Sequence, residues 1–202
     1  MLPLRIYIDP GHGEGVTGEY DPGAVGPTGL TENAVTFDVA KRLGHLLREK
    51  GFQTLGVTLE ATRDTENLNE AIRAANKEYV NLFVSLHCNA AANPKARGVE
   101  VWHRGDNTSQ RYAETVLSRI IAQCKSGNGR WLNGHALPLV SRGVKQGTFA
   151  VLRKTRMPAI LVELAFITNP QEEMWLKEPA VRQQMAQAIA DGIRDVVRMG
   201  RA

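Results

Sequence analysis

Three short apolar runs set the frame of this chain. Leu4 to Ile8, Val80 to Leu86 and Pro158 to Val162 are dominated by leucine, valine, isoleucine and aromatic residues. Runs so uniformly apolar predict strands buried on both faces, as in parallel sheets. The first stops at Asp9, where Pro10-Gly11 cannot continue a ladder, and His12 follows the turn; the other two end on His87 and Glu163. Between them the spacing changes to that of helices. Val35, Val39, Leu43, Leu46 and Leu47 share one face of a helix that Thr31 can cap, with Glu32 in its first turn, and that stops at Lys50-Gly51. A short helix is predicted from about Asn67 to Tyr79 with Leu68, Ile72, Ala75 and Tyr79 inward, and another from Ser109 to Cys124 with Tyr112, Val116 and Ile120 inward. A last helix starts near Pro179 and carries Val181, Met185, Ile189 and Val196 on one face. Phe52 to Thr62, Gly98 to His103 and Phe149 to Leu152 are further strand candidates.

Two stretches fit neither period. Glu14 to Gly29 is glycine-rich with Pro22 and Pro27, an irregular loop of a length that is usually functional. Lys125 to Gly147 also reads as mostly loop. Strands alternating with amphipathic helices predict one α/β domain over residues 1–202, with about six strands in a mostly parallel twisted sheet and helices on both faces.

Composition agrees with this class and narrows the partners. At 202 residues, 43% hydrophobic and 23% charged, the chain has the make-up of one globular domain. No apolar run approaches the roughly 20 residues of a bilayer span, and MLPLRIYID has neither a basic n-region nor a small-residue cleavage site, so we expect no membrane span and no export signal. Cys88 and Cys124 give neither a disulfide framework nor a metal pair. A net charge of +4 favours anionic partners. With no basic helix and no aromatic-basic interleaving, nucleic acid is not the expected one. Ser141 to Arg156 holds Arg142, Lys145, Arg153, Lys154 and Arg156 with no acidic residue, which suits either a groove for anionic groups or an ordinary solvated face.

If the three apolar strands run parallel, His12, His87 and Glu163 emerge on one sheet edge, where open α/β sheets build their sites. The helix that begins with Glu32 starts near that edge. Two imidazoles and two carboxylates in one cleft are the chemistry of a zinc hydrolase, in which three protein ligands leave a fourth position open for water. Blander roles exist. Glu32 also suits a first helical turn, complementing the macrodipole by about 0.3–1 kcal/mol, and His87 also suits a hydrogen-bonded core histidine. Glu163 interrupts an apolar strand, and an unpaired buried carboxylate is costly. His103 and His135, beside charged or glycine-rich sequence, read as surface; His45, mid-helix between Lys41 and Glu49, reads as solvated. Cys88 adjoins His87, but strand neighbours point to opposite faces.

DPGHG at Asp9–Gly13, GLTEN at Gly29–Asn33, TRD at Thr62–Asp64, AIRAAN at Ala71–Asn76, SLHCNA at Ser85–Ala90, RGVK at Arg142–Lys145 and MPAILVELAFITN at Met157–Asn169 occur in order over about residues 4 to 197. Together they resemble the zinc-dependent N-acetylmuramoyl-L-alanine amidases of type 3, found in bacterial cell walls and phage endolysins. The resemblance implies a six-stranded sheet flanked by helices and one zinc ion. It places the ligands at His12, Glu32 and His87 and the catalytic glutamate at Glu163. It also implies hydrolysis of the amide between N-acetylmuramic acid and L-alanine in peptidoglycan. The departures are Cys88 and Ala165, where alanine and glycine respectively are common. Some exported members carry an inhibitory helical insertion. The short glycine-bearing stretch between the Ser109 helix and Phe149 leads us to expect instead a monomer that needs no activator. It would act on the wall in the periplasm or outside the cell, by phage-type release or after removal of a signal. Two rivals remain: a zinc peptidase cutting within the stem peptide, and a wall-binding module with a vestigial site.

Overall fold

The computed structural model describes residues 3–14, 17–57, 67–125 and 138–200. The TRD motif at Thr62–Asp64, the end of the predicted 52–62 strand and His135 lie outside the described residues. Strands β1 (Arg5–Pro10), β4 (Gln53–Gly56), β5 (Leu82–Asn89), β6 (Val99–His103), β7 (Ser141–Gln146) and β8 (Ala159–Phe166) form one sheet in the order β4-β1-β5-β8-β6-β7. The first four of that order are mutually parallel, β6 runs antiparallel to β8, and β7 is parallel to β6. A two-stranded ribbon, β2 (Gly13–Glu14) with β3 (Tyr20–Asp21), adds order to the glycine-rich loop.

Side-chain alternation divides the core in two. Ile6, Ile8, Leu82, Val84, Leu86, Ile160 and Val162 pack in one cluster with helices α1 (Glu32–Glu49), α3 (Asn107–Lys125) and α6 (Pro179–Met199). Tyr7, Phe83 and Leu161 face the other way, under α2 (Leu68–Lys77) and the short α4 (Ala150–Lys154). The Tyr7 and Phe83 rings stack there with centroids 5.2 Å apart. The first face is fully roofed by three long helices, the second only in part by two short ones. The uncovered remainder of the second face, toward the carboxyl ends of β1, β5 and β8, is where a cleft opens.

Several expectations need correction. Phe149 to Leu152, predicted as a strand, is the N-cap and first turn of α4; four apolar residues are too few for periodicity to separate the two states. Residues 141–146, predicted as loop, form the edge strand β7, whose inward positions are cations held by a buried acid instead of apolar side chains. Leu68 and Tyr79, predicted inward, are exposed; α2 ends at Lys77, and Tyr79 sits beyond it in a left-handed turn at φ 51°. His103, predicted on the surface, is buried, because strand alternation turns it to the same face as Val101. His45 is exposed, as expected.

Helix α5 (Pro170–Lys177) was not anticipated. Asn169 caps it by accepting from the Gln171 and Glu172 amides, with Pro170 in the first turn. Its acids Glu172 and Glu173 are buried, not solvated. Glu172 accepts from the Gly98 amide at 2.8 Å and the Phe166 amide at 2.7 Å, joining the start of β6 to the end of β8. Glu172→Ala strands two buried donors, and at about 1–3 kcal/mol each we expect a loss of about 2–4 kcal/mol, measured by urea unfolding, with Glu172→Gln losing less.

Candidate functional site

Register fixes the site before any side-chain contact is considered. His87 pairs with Glu163 across β5 and β8, and Glu163 pairs with Glu100 across β8 and β6. Directly opposed residues share a face, so these three side chains form a row, extended on the β1 side by Gly11, one residue beyond the Pro10–Leu86 pair. Both strands run past the predicted ends, β5 to Asn89 and β8 to Phe166, and a bulge between His87 and Asn89 takes up the mismatch.

His12 reaches the same place by a strained turn, with φ at 67°, a left-handed conformation uncommon outside glycine and often stored at functional sites. The turn is pinned from α1: Thr36 Oγ1 and Asn33 Nδ2 both donate to the Gly11 carbonyl, at 2.9 and 3.3 Å. Two glycines make the room. A Cβ on Gly11 would lie 2.4 Å from His87 Cε1, and one on Gly23 would lie 2.5 Å from His12 Cδ2. Each closes an Asp-Pro-Gly triplet, at 9–11 and 21–23.

Glu32 sits between the imidazoles. Its Oε1 lies 2.9 Å from His87 Nδ1 and its Oε2 3.1 Å from His12 Nε2. The same oxygens accept the backbone amides of Cys88 at 2.9 Å and Ala24 at 3.0 Å. His12 Nδ1 is taken by Asp21 Oδ2 at 2.7 Å, which turns Nε2 toward Glu32 and the cleft. The structure therefore brings His12, Glu32 and His87 together: one donor atom from each lies within 4.8 Å of the others, a grouping that could hold a metal ion. Two imidazole nitrogens, a carboxylate oxygen and a second carboxylate orienting one ring form a donor set that fits zinc.

Electrostatics separate the two glutamates. Burial raises the Glu32 carboxyl, but the hydrogen bonds from His12 and His87 outweigh it and hold it well below the ordinary range. The Glu32 hydrogen bond is the main cause that raises His12 to about 9. Glu163 moves the other way: burial pushes it up to about 7, with the His87 charge opposing and the Glu32 and Glu100 charges assisting. Its Oε2 is buried without a hydrogen-bond partner among the described residues, a state that buried polar atoms rarely adopt. Burial also raises Asp9, beside the site, which accepts from Ser85 Oγ at 2.6 Å.

These groups line a cleft of about 360 Å³. His12, Asp21, His87 and Glu163 form its polar wall, and Leu68, Phe149, Val151 and Leu161 its apolar wall. Phe149 is 41% exposed there and meets Trp102 edge-on at 5.2 Å. The four cations proposed for substrate divide. Arg142 and Lys145 both bind Glu100 Oε2, at 2.7 and 2.6 Å, in the row that contains Glu163. Arg153 and Lys154 are exposed at the end of α4 and do not line the cleft. Cys88 points into the core, away from the cluster; only its amide takes part. Asp21 and Glu100 were missed from sequence; the repeated Asp-Pro-Gly was a signal for the first, and nothing local marked the second.

A six-stranded α/β sheet with an imidazole-carboxylate cluster on its carboxyl edge, facing a buried under-bonded glutamate, defines an α/β protein with a candidate metal centre. The chain belongs to the N-acetylmuramoyl-L-alanine amidase family, whose model matches residues 6–195. It is 34% identical over 192 residues to the N-acetylmuramoyl-L-alanine amidase LytC of Bacillus subtilis, covering 93% of this chain and 34% of LytC, about a third of that relative's length. It is 32% identical over 222 residues to AmiA of Salmonella typhimurium, covering 93% of this chain and 74% of AmiA. Among solved structures it resembles the amidase AmiC2 of Nostoc punctiforme (TM-score 0.79, 32% identity, 96% of this chain and 97% of that one). An N-acetylmuramoyl-L-alanine amidase from Clostridium difficile 630 is similar too (TM-score 0.82, 30% identity, 98% of both chains).

Burial raises the Glu100 carboxyl, but hydrogen bonds from Lys145 and Arg142 outweigh it and hold it below the ordinary range. A carboxyl depressed by folding stabilises the protein above its unfolded pKa, and that stability is lost as pH falls through the folded value. The difference in unfolding temperature between the parent and Glu100→Gln should therefore narrow as pH falls from about 6 to about 3, measured by thermal unfolding.

Proposed function

We propose that this chain is a zinc-dependent hydrolase of the amide joining N-acetylmuramic acid to L-alanine in peptidoglycan, acting on the wall outside the cytoplasmic membrane. The observation that carries the reading is the His12–Glu32–His87 cluster with Glu163 paired beside His87, its buried Oε2 having no hydrogen-bond partner among the described residues. Family membership supports the substrate class. Among the described residues no helix is long and apolar enough to cross a membrane.

His12, Glu32 and His87 would hold the ion, which when bound supplies Lewis acidity to the carbonyl and lowers the pKa of a coordinated water. The remaining work falls to the chain's own side chains. Asp21 holds the His12 ring so that Nε2 faces the cluster. Glu163, kept short of hydrogen bonds, takes the proton of the attacking water on its carboxylate and passes it to the leaving alanine nitrogen. The apolar wall of Leu68, Phe149 and Leu161 excludes water from the opposite side of the amide. The alignment with AmiA extends over more residues than this chain possesses, so AmiA holds segments with no counterpart here. This supports a domain that works without an activator.

Glu163→Gln should lower turnover by about 10²–10⁴-fold while zinc content is retained, measured by dye release from labelled peptidoglycan alongside metal analysis. Near-normal turnover in that variant removes Glu163 from its role. Mass spectrometry of the digest should show a new N-terminal L-alanine; cuts within the stem peptide would identify a peptidase instead. Asp21→Asn should weaken zinc binding by about 10–100-fold, read by chelator competition.

A further inference from the structure

Glu100 is a buried carboxylate with four side-chain donors. Oε1 accepts from Asn89 Nδ2 and Trp102 Nε1, each at 3.0 Å, and Oε2 accepts from Arg142 Nε and Lys145 Nζ. Two cations contact this one acid, so the hydrogen-bonded group itself carries one more cation than anion, with Glu163 and Glu172 the other carboxyls within electrostatic reach. Because Glu100 stands opposite Glu163 in the β6–β8 pairing, that group lies on the same face as the cleft and one or two strand spacings away, about 5–10 Å.

The donors are only partly used. Arg142 meets Glu100 through Nε alone, and its guanidinium lies 4.8 Å over the Phe166 ring. Its terminal nitrogens have no hydrogen-bond partner among the described residues, and its side chain is 38% exposed. Lys145 lies 5.0 Å over Trp102 with its side chain 33% exposed. Two parallel N–H groups on a guanidinium already held by Nε and by ring stacking form a preorganised fork for a planar oxyanion. Arg153 and Lys154 have no such seat.

We propose that Arg142 and Lys145, seated on Glu100, form a subsite for a carboxylate on the peptide side of the scissile amide. This rests on the amidase reading above. The carboxyl of muramic acid is consumed in that amide and the sugar is otherwise uncharged, so an anion near the cut bond belongs to the peptide. Two or three residues of extended chain, at about 3.3–3.6 Å each, cover the distance from Glu163 to the fork. The α-carboxylate of a glutamate following the alanine meets that requirement. The subsite also orients the substrate, with the peptide running from β8 toward β6 and β7 and the glycan lying on the β1 side.

The test compares two ligands, muramoyl-L-alanyl-γ-D-glutamyl-L-lysine and its counterpart with the glutamate α-carboxyl amidated, binding to zinc-loaded Glu163→Gln protein in calorimetry. The acid should bind about tenfold or more tightly than the amide, and the ratio should shrink with added salt. Arg142→Gln and Lys145→Met should each bring the two ligands closer to equal affinity. The triple variant Glu100→Gln, Arg142→Gln, Lys145→Met removes both cations together with the acid they surround, so it guards against a fold lost through an unbalanced buried acid, and it should bind both ligands equally. Equal affinity in the starting protein, or an acid preference that survives loss of both cations, overturns the subsite. Whether the parent protein releases a new N-terminal alanine is read separately, so failure of the amidase reading is distinguishable from failure of the subsite.

Discussion

The structure around the site depends on one buried carboxylate and the groups that surround it. Glu32 is 3% exposed, and burying a charge so completely is costly unless it is paired and hydrogen-bonded. Two imidazoles and two backbone amides meet that need, and they come from three separate parts of the chain. The loop before α1 is folded accordingly: the Glu32 amide donates to Ala24 O, and the Asn33 amide to Pro22 O. Farther along the loop, buried Glu173 of α5 accepts from the Thr28 amide at 3.0 Å and the Thr28 hydroxyl at 2.7 Å. The second half of a segment that the sequence marks as irregular is thus held at Pro22, Ala24 and Thr28, next to the buried acid it leads into.

A second constraint is the reversal of strand direction between β8 and β6. In a wholly parallel sheet every strand would present its carboxyl end to the cleft. Since β6 runs the other way, its amino-terminal residues arrive there, and Glu100 comes into line with Glu163. The edge strand β7 follows β6 and brings Arg142 and Lys145 with it. The cleft is therefore electrically uneven, with imidazoles and acids on the β1–β5 side and an excess cation on the β6–β7 side. The substrate orientation follows from this asymmetry.

The sequence disclosed whatever depends on local pattern. Uniform apolar runs locate β1, β5 and β8, and with them His12, His87 and Glu163; a capping threonine before a periodic stretch locates α1 and Glu32. What stayed hidden depends on partners far along the chain. Glu172 and Glu173 look like the solvated acids of a first helical turn, yet their partners lie 74 and 145 residues away. Residues 141–146 carry no strand signature because their inward groups are cations whose acid, Glu100, belongs to another strand. Phe149 to Leu152 is too short for its period to distinguish helix from strand, so α4 became legible only once β8 and α2 were in place around it.

Glu32 and Glu163 show how one cleft shifts the same side chain in opposite directions. Both are glutamates with buried oxygens near His87, and burial alone would raise both. Glu32 receives a partner on each face of each oxygen, so its negative charge is the form the surroundings favour, as a metal ligand requires. Glu163 has one buried oxygen without a hydrogen-bond partner among the described residues, and burial pushes its carboxyl up to about 7. A group so balanced can accept a proton in one step and surrender it in the next. A cation held by His12, Glu32 and His87 would lower that value by its charge and keep the same order between the two acids. The division between ligand and base that we propose therefore rests on how many hydrogen-bond donors reach each carboxylate.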